Sequence, residues 1–336
     1  MRGPSFPRMS DIPYTAAELD RLDIESRGVM MYSGPVIDAE LYTPWLGADD
    51  PANPRADRVE WNDDARLKRL AHTFHHTDGE AVKTPSHSKA DILTEMDAAN
   101  VERAILAAKV YYRSSERSVD AVHAELARLA EGSAGRLKII ATIAPPELGE
   151  STYWDVMQNG RFLEDAHRRY GVVGVHITPA PWGIAPSHKW FYPLYAKCVE
   201  LGLCLFVYVG MPGPLWPMMP NDPTVLDEVA LAFPDLKIIA HHIGDPWNDV
   251  VVRLAARHRN YYICTSAWHP RAYPEQLMSF MKGKWHGTYG SEKVVFASDW
   301  PLLDMQKTVK AAREMNLSEE QLSSVLYANA KRLFWP

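Results

Sequence analysis

Lys293-Val294-Val295-Phe296-Ala297-Ser298-Asp299-Trp300-Pro301 reads as a buried strand that stops abruptly. Val294 to Ala297 are apolar or small, and Pro301 ends the strand because its nitrogen cannot donate to a ladder. A carboxylate at the end of a buried parallel strand points into the crevice above the sheet, where α/β proteins bind ligands. The other role open to Asp299 is to cap a helix starting near Leu303. A second strand end of the same kind, Lys237-Ile-Ile-Ala-His-His-Ile-Gly244, favours the ligand-binding role.

The chain has 336 residues, 46% of them hydrophobic and 23% charged, enough for one α/β barrel or two ordinary domains. Its net charge of −6 and the lack of any basic run argue against nucleic acid and anionic membrane as partners. Residues 1–10 contain Arg2 and Arg8 but no apolar segment, so no signal peptide is expected. No apolar run approaches the roughly 20 residues of a membrane helix. Cys198, Cys204 and Cys264 each lie in an apolar context without a CxxC spacing. They read as reduced core thiols of a cytoplasmic protein, not as a thiolate zinc site. Eleven Trp and 25 Pro suggest long structured loops and an aromatic-lined cavity.

Residues 1–30 read as an N-terminal arm, and 31–336 as the folded body. The arm carries Ile12, Tyr14, Leu19, Leu22 and Ile24, which a bare tail would leave wet. They are expected to pack on another subunit, or else on the chain's own body. Val36-Ile37 leads into Asp38-Ala39-Glu40-Leu41-Tyr42, a first strand with an acidic and aromatic end. Residues 43–88 form a long Pro-, Asp- and His-rich loop, expected at an interface or a functional site. Within it, His72 and His76 have a metal-competent i,i+4 spacing if helical, and with His75 they otherwise make a polar loop.

Beyond residue 88 helices and strands alternate. Helices are expected at 89–99, 118–130, 151–169, 192–201, 224–233, 247–257, 274–281 and 304–315. Strands are expected at 103–108, 137–143, 172–178, 203–209, 237–241, 261–265 and 294–297. A last helix runs from Ser318, its N-cap, to about Leu333, with acidic residues in its first turn. With the strand at Val36 there are eight β units, which fit a distorted (β/α)8 TIM barrel; an open doubly wound sheet is the alternative. No GxGxxG follows the first strand, which speaks against a dinucleotide.

In a barrel the strand ends converge on one mouth. They bring Asp38, Glu40 and Tyr42, then His176, Tyr208, His241 with His242, Thr265-Ser266-Ala-Trp268-His269, and Asp299. Carboxylate with imidazole suits a divalent Zn, Mn or Fe ion. Tyr208 is placed to line the substrate pocket, and Trp268, His269 and the 211–216 loop are placed either to line it or to pack as a lid.

An ordered set of segments carries a resemblance. It comprises Val36-Ile-Asp-Ala-Glu40, Asp97-Ala-Ala-Asn-Val101, Gly171-Val-Val-Gly174, Gly210-Met-Pro-Gly-Pro214, the stretch from Phe233 through Ala-His-His-Ile-Gly-Asp-Pro to Trp247, Tyr262-Ile-Cys-Thr-Ser266, Ala297-Ser-Asp-Trp-Pro301 and Ala328-Asn-Ala-Lys-Arg-Leu-Phe334. Over about residues 31–334 it resembles the amidohydrolase-related family of metal-dependent hydrolases and non-oxidative decarboxylases. The resemblance implies a divalent metal held by an HxH pair on strand one, a His on strand five and an Asp on strand eight. A strand-six His serves as a second-metal ligand or acid/base. Here the first-strand pair is Glu40 and Tyr42, and decarboxylases of the family also carry Glu at that place. Tyr208 replaces the strand-five His, and His176 stands where some relatives carry a bridging Lys. The implied metal set is Glu40, His176, His242 and Asp299, with Asp299 and His242 catalytic. The implied activity is hydrolysis or non-oxidative decarboxylation of a small carboxylate or amide. The alternatives are a subunit of a heteromeric metal-dependent monooxygenase acting on a small amino acid, and a non-catalytic partner of an active paralogue. A homo-oligomer, or a hetero-oligomer with a homologous subunit, is expected.

Overall fold

The computed structural model describes residues 32–42, 88–107, 116–143, 156–212 and 216–336. The arm at 1–30 and the segment 43–87, with the His72–His76 cluster, lie outside the described residues.

The strands are β1 (Val36–Tyr42), β2 (Val101–Ala107), β3 (Leu137–Ile139), β4 (Ala141–Thr142), β5 (Gly174–Ile177), β6 (Cys204–Tyr208), β7 (Lys237–His241), β8 (Tyr261–Cys264), a small hairpin of β9 (Lys284–Trp285) and β10 (Thr288–Tyr289), and β11 (Val294–Val295). They form a three-stranded sheet β1-β2-β3 and a six-stranded sheet β11-β8-β7-β6-β5-β4, parallel throughout. β3 and β4 are two halves of one bent strand, with Ile140 at the bend donating to the Leu106 carbonyl at 3.1 Å. The other edges also meet. Ala39 N–H donates to Phe296 O at 2.9 Å, Asp299 N–H donates to Glu40 O at 3.1 Å, and Leu41 bridges Trp300. The two sheets therefore close on each other as an eight-staved barrel, as the alternation predicts.

Asp38 holds that seam. Fully buried, its Oδ1 accepts from the backbone N–H of Ser298 at 2.9 Å and of Glu40 at 3.3 Å. Burial, with the neighbouring Glu40 adding to it, pushes the Asp38 carboxyl up to about 7 despite those hydrogen bonds.

The strands read as apolar runs because both their faces are covered, the outer one by helices. Asn248–Arg257, for example, buries Val251, Val252, Leu254 and Ala255 at helical spacing. The inner layer contains Ile37, Ile105, Ile140, Phe206, Ile239 and Val295. Gly174 is required there, since a Cβ on it would sit 2.7 Å from the Cys204 carbonyl and 2.9 Å from the Phe206 ring.

The last helix begins as expected, with Ser318 accepting from Gln321 N–H and Glu319 and Glu320 in the first turn. It then widens into a π turn, Ser324–Ala328, before Asn329–Phe334. The π turn lets the Val325 carbonyl accept from Phe296 N–H at 3.1 Å, and Asn329 Nδ2 donates to Ser291 O and Val294 O at 2.7 Å each. Phe334 then plugs the barrel floor, stacked on Phe206 at 5.5 Å.

Other boundaries shift by a few residues. The helix expected from 151 is described from Gln158, with 151–155 outside the described residues. The helix expected from 304 starts at Met305 and is capped by Asp304, whose side chain accepts from Lys307 N–H, so Asp299 is not its cap. All three cysteines are buried and outside any disulfide. No described helix is long and apolar enough to cross a membrane.

His123, on the helix Glu116–Ala130, is fully buried and accepts the Thr142 N–H at its Nε2, 3.0 Å away. Burial holds this imidazole down to about 4, from 6.5. The unfolded chain thus takes up a proton that the folded chain refuses between those values. His123's contribution to stability is full above about pH 6.5 and is lost on acidification toward pH 4, by about 3 kcal/mol, while Asp38, raised from 3.8 to about 7, contributes in the opposite sense over the same window. In His123→Gln, whose amide oxygen accepts the same N–H, the denaturant midpoint should shift toward greater stability relative to the parent's as the pH falls through this window. Equal pH dependence in both would refute the assignment.

Candidate functional site

Above the apolar inner layer the strand ends become polar, and Asp38, Glu40, His176, His241, His242, Ser266 and Asp299 are all buried. Glu40 is fully buried, and its Oε2 lies 3.4 Å from His241 Nδ1. His241 ends β7 and faces inward in register with Ile239, as the two-residue period of a strand requires. Its ring rests edge-on against Phe206 at 4.9 Å and beside the His176 ring at 4.9 Å. The column Phe334, Phe206, His241, His176 rises from floor to site. The Cys264 sulfur completes the cluster, since one donor atom each from Glu40, His241 and Cys264 all lie within 4.8 Å of one another.

The chain leaves β7 through three successive left-handed residues, His242 (φ 65°), Ile243 (φ 53°) and Gly244 (φ 76°). For a β-branched Ile this conformation is strained, at a cost of about 1–3 kcal/mol. The turn swings His242 out of the strand's register and against β8's end. There its Nδ1 lies 3.0 Å from both the backbone O and the Oγ of Ser266. A carbonyl only accepts, so Nδ1 carries the hydrogen and Nε2 is the basic nitrogen. Ser266 Oγ–H in turn donates to Glu40 Oε2. A chain of hydrogen bonds therefore runs from His242 through Ser266 to Glu40. The Tyr208 ring braces His242 at 4.3 Å, while its hydroxyl reaches Met211 O at 3.4 Å.

Asp299 is buried and left-handed (φ 59°), a conformation Asp tolerates, and its N–H is tied to Glu40 O. Burial, with Glu40, Asp38 and Asp299 nearby, pushes the Cys264 thiol well up, against a hydrogen bond with the Ser266 backbone. Trp268 packs half-buried against the core, and His269 Nδ1 caps the turn Pro270–Ala272 by accepting from Arg271 N–H at 3.3 Å.

Of the residues read from sequence as metal ligands, Glu40 is in the tight donor group. His176 adjoins it through His241, His242 is linked to it through Ser266, and Asp299 is tied to Glu40's backbone. The sequence reading placed His241, Ser266 and Asp38 at the mouth without naming them as ligands or catalytic residues, and took Cys264 for core. A buried set of carboxylate, imidazole and thiol at this separation fits a divalent transition ion.

The sequence matches the family described as Amidohydrolase over residues 63–335. Similar solved structures include a 5-carboxyvanillate decarboxylase from Sphingomonas paucimobilis, 19% identical, with 90% of this chain and 99% of that chain covered at a TM-score of 0.67. A 5-carboxyvanillate decarboxylase from Novosphingobium aromaticivorans, complexed with manganese and 4-hydroxy-3-methoxy-5-nitrobenzoic acid, is 15% identical over 91% of this chain and 97% of that one, at a TM-score of 0.64. An uncharacterized TIM-barrel protein from Bordetella bronchiseptica is 18% identical over 89% and 98%, at a TM-score of 0.62. At such identities these structures testify to the fold alone. No curated protein matches the sequence.

Proposed function

The chain belongs to the amidohydrolase family, and from that premise we propose that it is a divalent-metal-dependent lyase removing the carboxyl group of a small carboxylic acid without an oxidant. The observation that carries this reading is the buried Glu40 carboxylate, grouped with His241 and joined through Ser266 to His242. Glu at the first-strand position is the family's decarboxylase pattern, and two of the similar folds are decarboxylases by name.

Glu40 and His241 would hold the ion, with His176 and Asp299 beside them. When bound, it would supply Lewis-acid polarisation of a substrate oxygen and offset the carboxylates around it. Decarboxylation breaks a carbon–carbon bond, leaves its electron pair on carbon and replaces carbon dioxide by a proton. It needs no nucleophile, so the residues have only to orient the acid and move that proton. Asp299 delivers it at its carboxyl oxygen. His242 accepts or returns a proton at Nε2, and the charge on its ring is stabilised by Glu40 through Ser266 Oγ. Ser266, which orients both side chains, is a positioning residue.

The test is carbon dioxide release by the full chain from a panel of small aromatic and aliphatic carboxylic acids. It is run with Zn, Mn or Fe loaded and with the metal stripped, beside matching amides. Metal-dependent release from an acid, with no oxygen consumed, is expected. Amide cleavage without carbon dioxide release would move the assignment to hydrolysis, and a reaction indifferent to metal would end it.

A further inference from the structure

We infer that Cys264 is itself a metal ligand, so that the centre is a carboxylate–imidazole–thiolate site and not one of carboxylate and imidazole alone. The inference rests on the metal-dependent reading above and deepens it. A CxxC pair is the usual sequence mark of thiolate ligation, and its absence is why Cys264 reads as core. The barrel supplies the neighbours instead. Glu40 comes from β1, His241 from the end of β7 and Cys264 from the end of β8, and all three are fully buried.

Distance supports this. An ion with bonds of about 2.0–2.3 Å in tetrahedral geometry separates its ligand atoms by about 3.3–3.8 Å. Glu40 Oε2 and His241 Nδ1 already stand 3.4 Å apart. The Cys264 sulfur lies within 4.8 Å of its partners' donor atoms, so a side-chain shift of about 1 Å brings it into the same shell.

The surroundings resemble those that metal ligands keep. Ser266 is shared by two of the three ligands, Glu40 and Cys264, and by the neighbouring His242. Its hydroxyl donates to Glu40 Oε2, its carbonyl and hydroxyl meet His242, and its backbone hydrogen-bonds the Cys264 sulfur. Such outer contacts orient ligands and tune their basicity. Cys204 shares the inner apolar cluster with Cys264 but lies outside the donor group, and Cys198 lies on the helix Tyr192–Leu201. Binding is balanced as an exchange: the Cys264 S–H bond breaks, the metal–sulfur bond forms, and the proton leaves to solvent. A thiolate donor biases the centre toward Zn or Fe and away from Mg.

The experiment titrates Co2+ into the metal-stripped full chain and follows the near-ultraviolet sulfur-to-cobalt charge-transfer band. The expected result is a band that saturates at one equivalent, persists in Cys204→Ser and disappears in Cys264→Ser although that variant still binds cobalt. Zinc-edge X-ray absorption on the unmodified chain needs no folded variant, and should give one sulfur neighbour at about 2.3 Å. One equivalent of Co2+ bound without the band, or a zinc shell without sulfur, overturns the thiolate assignment and leaves the metal-dependent reading standing. No Co2+ or Zn2+ bound overturns both.

Discussion

Asp299→Asn should lower carbon dioxide release about 10²- to 10⁴-fold while leaving fold and metal content near the parent's. That is the range for one positioned proton donor, about 3–5 kcal/mol of barrel-independent barrier height. The substitution is chosen for its geometry. Asn, like Asp, tolerates the left-handed backbone at this position (φ 59°), and the N–H that bonds Glu40 O is untouched. The amide keeps one oxygen donor but has no acidic proton to deliver at neutral pH. Turnover, metal content by elemental analysis and thermal midpoint are measured together on one preparation. Parent-like turnover removes Asp299 from the chemistry. Loss of metal together with activity makes it chiefly a ligand.

Phe334→Ala is expected to have the largest effect on stability, about 3–5 kcal/mol. Phe334 is 1% exposed and parallel to Phe206 within 18°, and Phe206 in turn meets the His241 ring at 4.9 Å. The lost ring leaves a hole at the base of a layer whose walls are strands tied on both sides, so the site can collapse only partially. Phe334→Leu, which refills part of the volume, should recover more than half of the loss. Urea unfolding measures both, and a loss below about 1 kcal/mol in the alanine variant would show that the floor is not sealed by this ring.

The alternation of helices and strands was legible because each element carries its own period and its own stop signals. Ser318 announces a helix, and Pro301 ends a strand. Which side chains face inward was harder to read. In β7 the run Ile238-Ile239-Ala240 is apolar on both faces, so no alternation tells whether His241 or His242 points to the axis. The left-handed turn that sends His242 to Ser266 has only Gly244 as a sequence signal, and it passes through Ile243, which ordinarily avoids that conformation. Cys264 looks like core because it is core, packed with Ile239 and Val295. What makes it chemically interesting is Glu40, whose partner Ser266 is 226 positions away in the chain. Tyr208 in place of an expected His likewise looked like a lost ligand, and its ring lies against the imidazole of His242.

The seam joining β1 to β11 has a consequence for biosynthesis. Asp38 and Ser298, whose bond fastens it, are 260 positions apart. At about 5–20 residues per second, strand β1 waits on the order of 10–50 s after leaving the ribosome before its last neighbour is made. The arc from β5 to β8 can pair in the meantime, because each of its strands finds its partner a helix later. Glu40 has neither Ser266 nor the Asp299 backbone until translation is nearly complete. The nascent chain therefore carries one edge of its acidic strand unpaired through most of synthesis, and the proposed ligands come together only in a finished barrel.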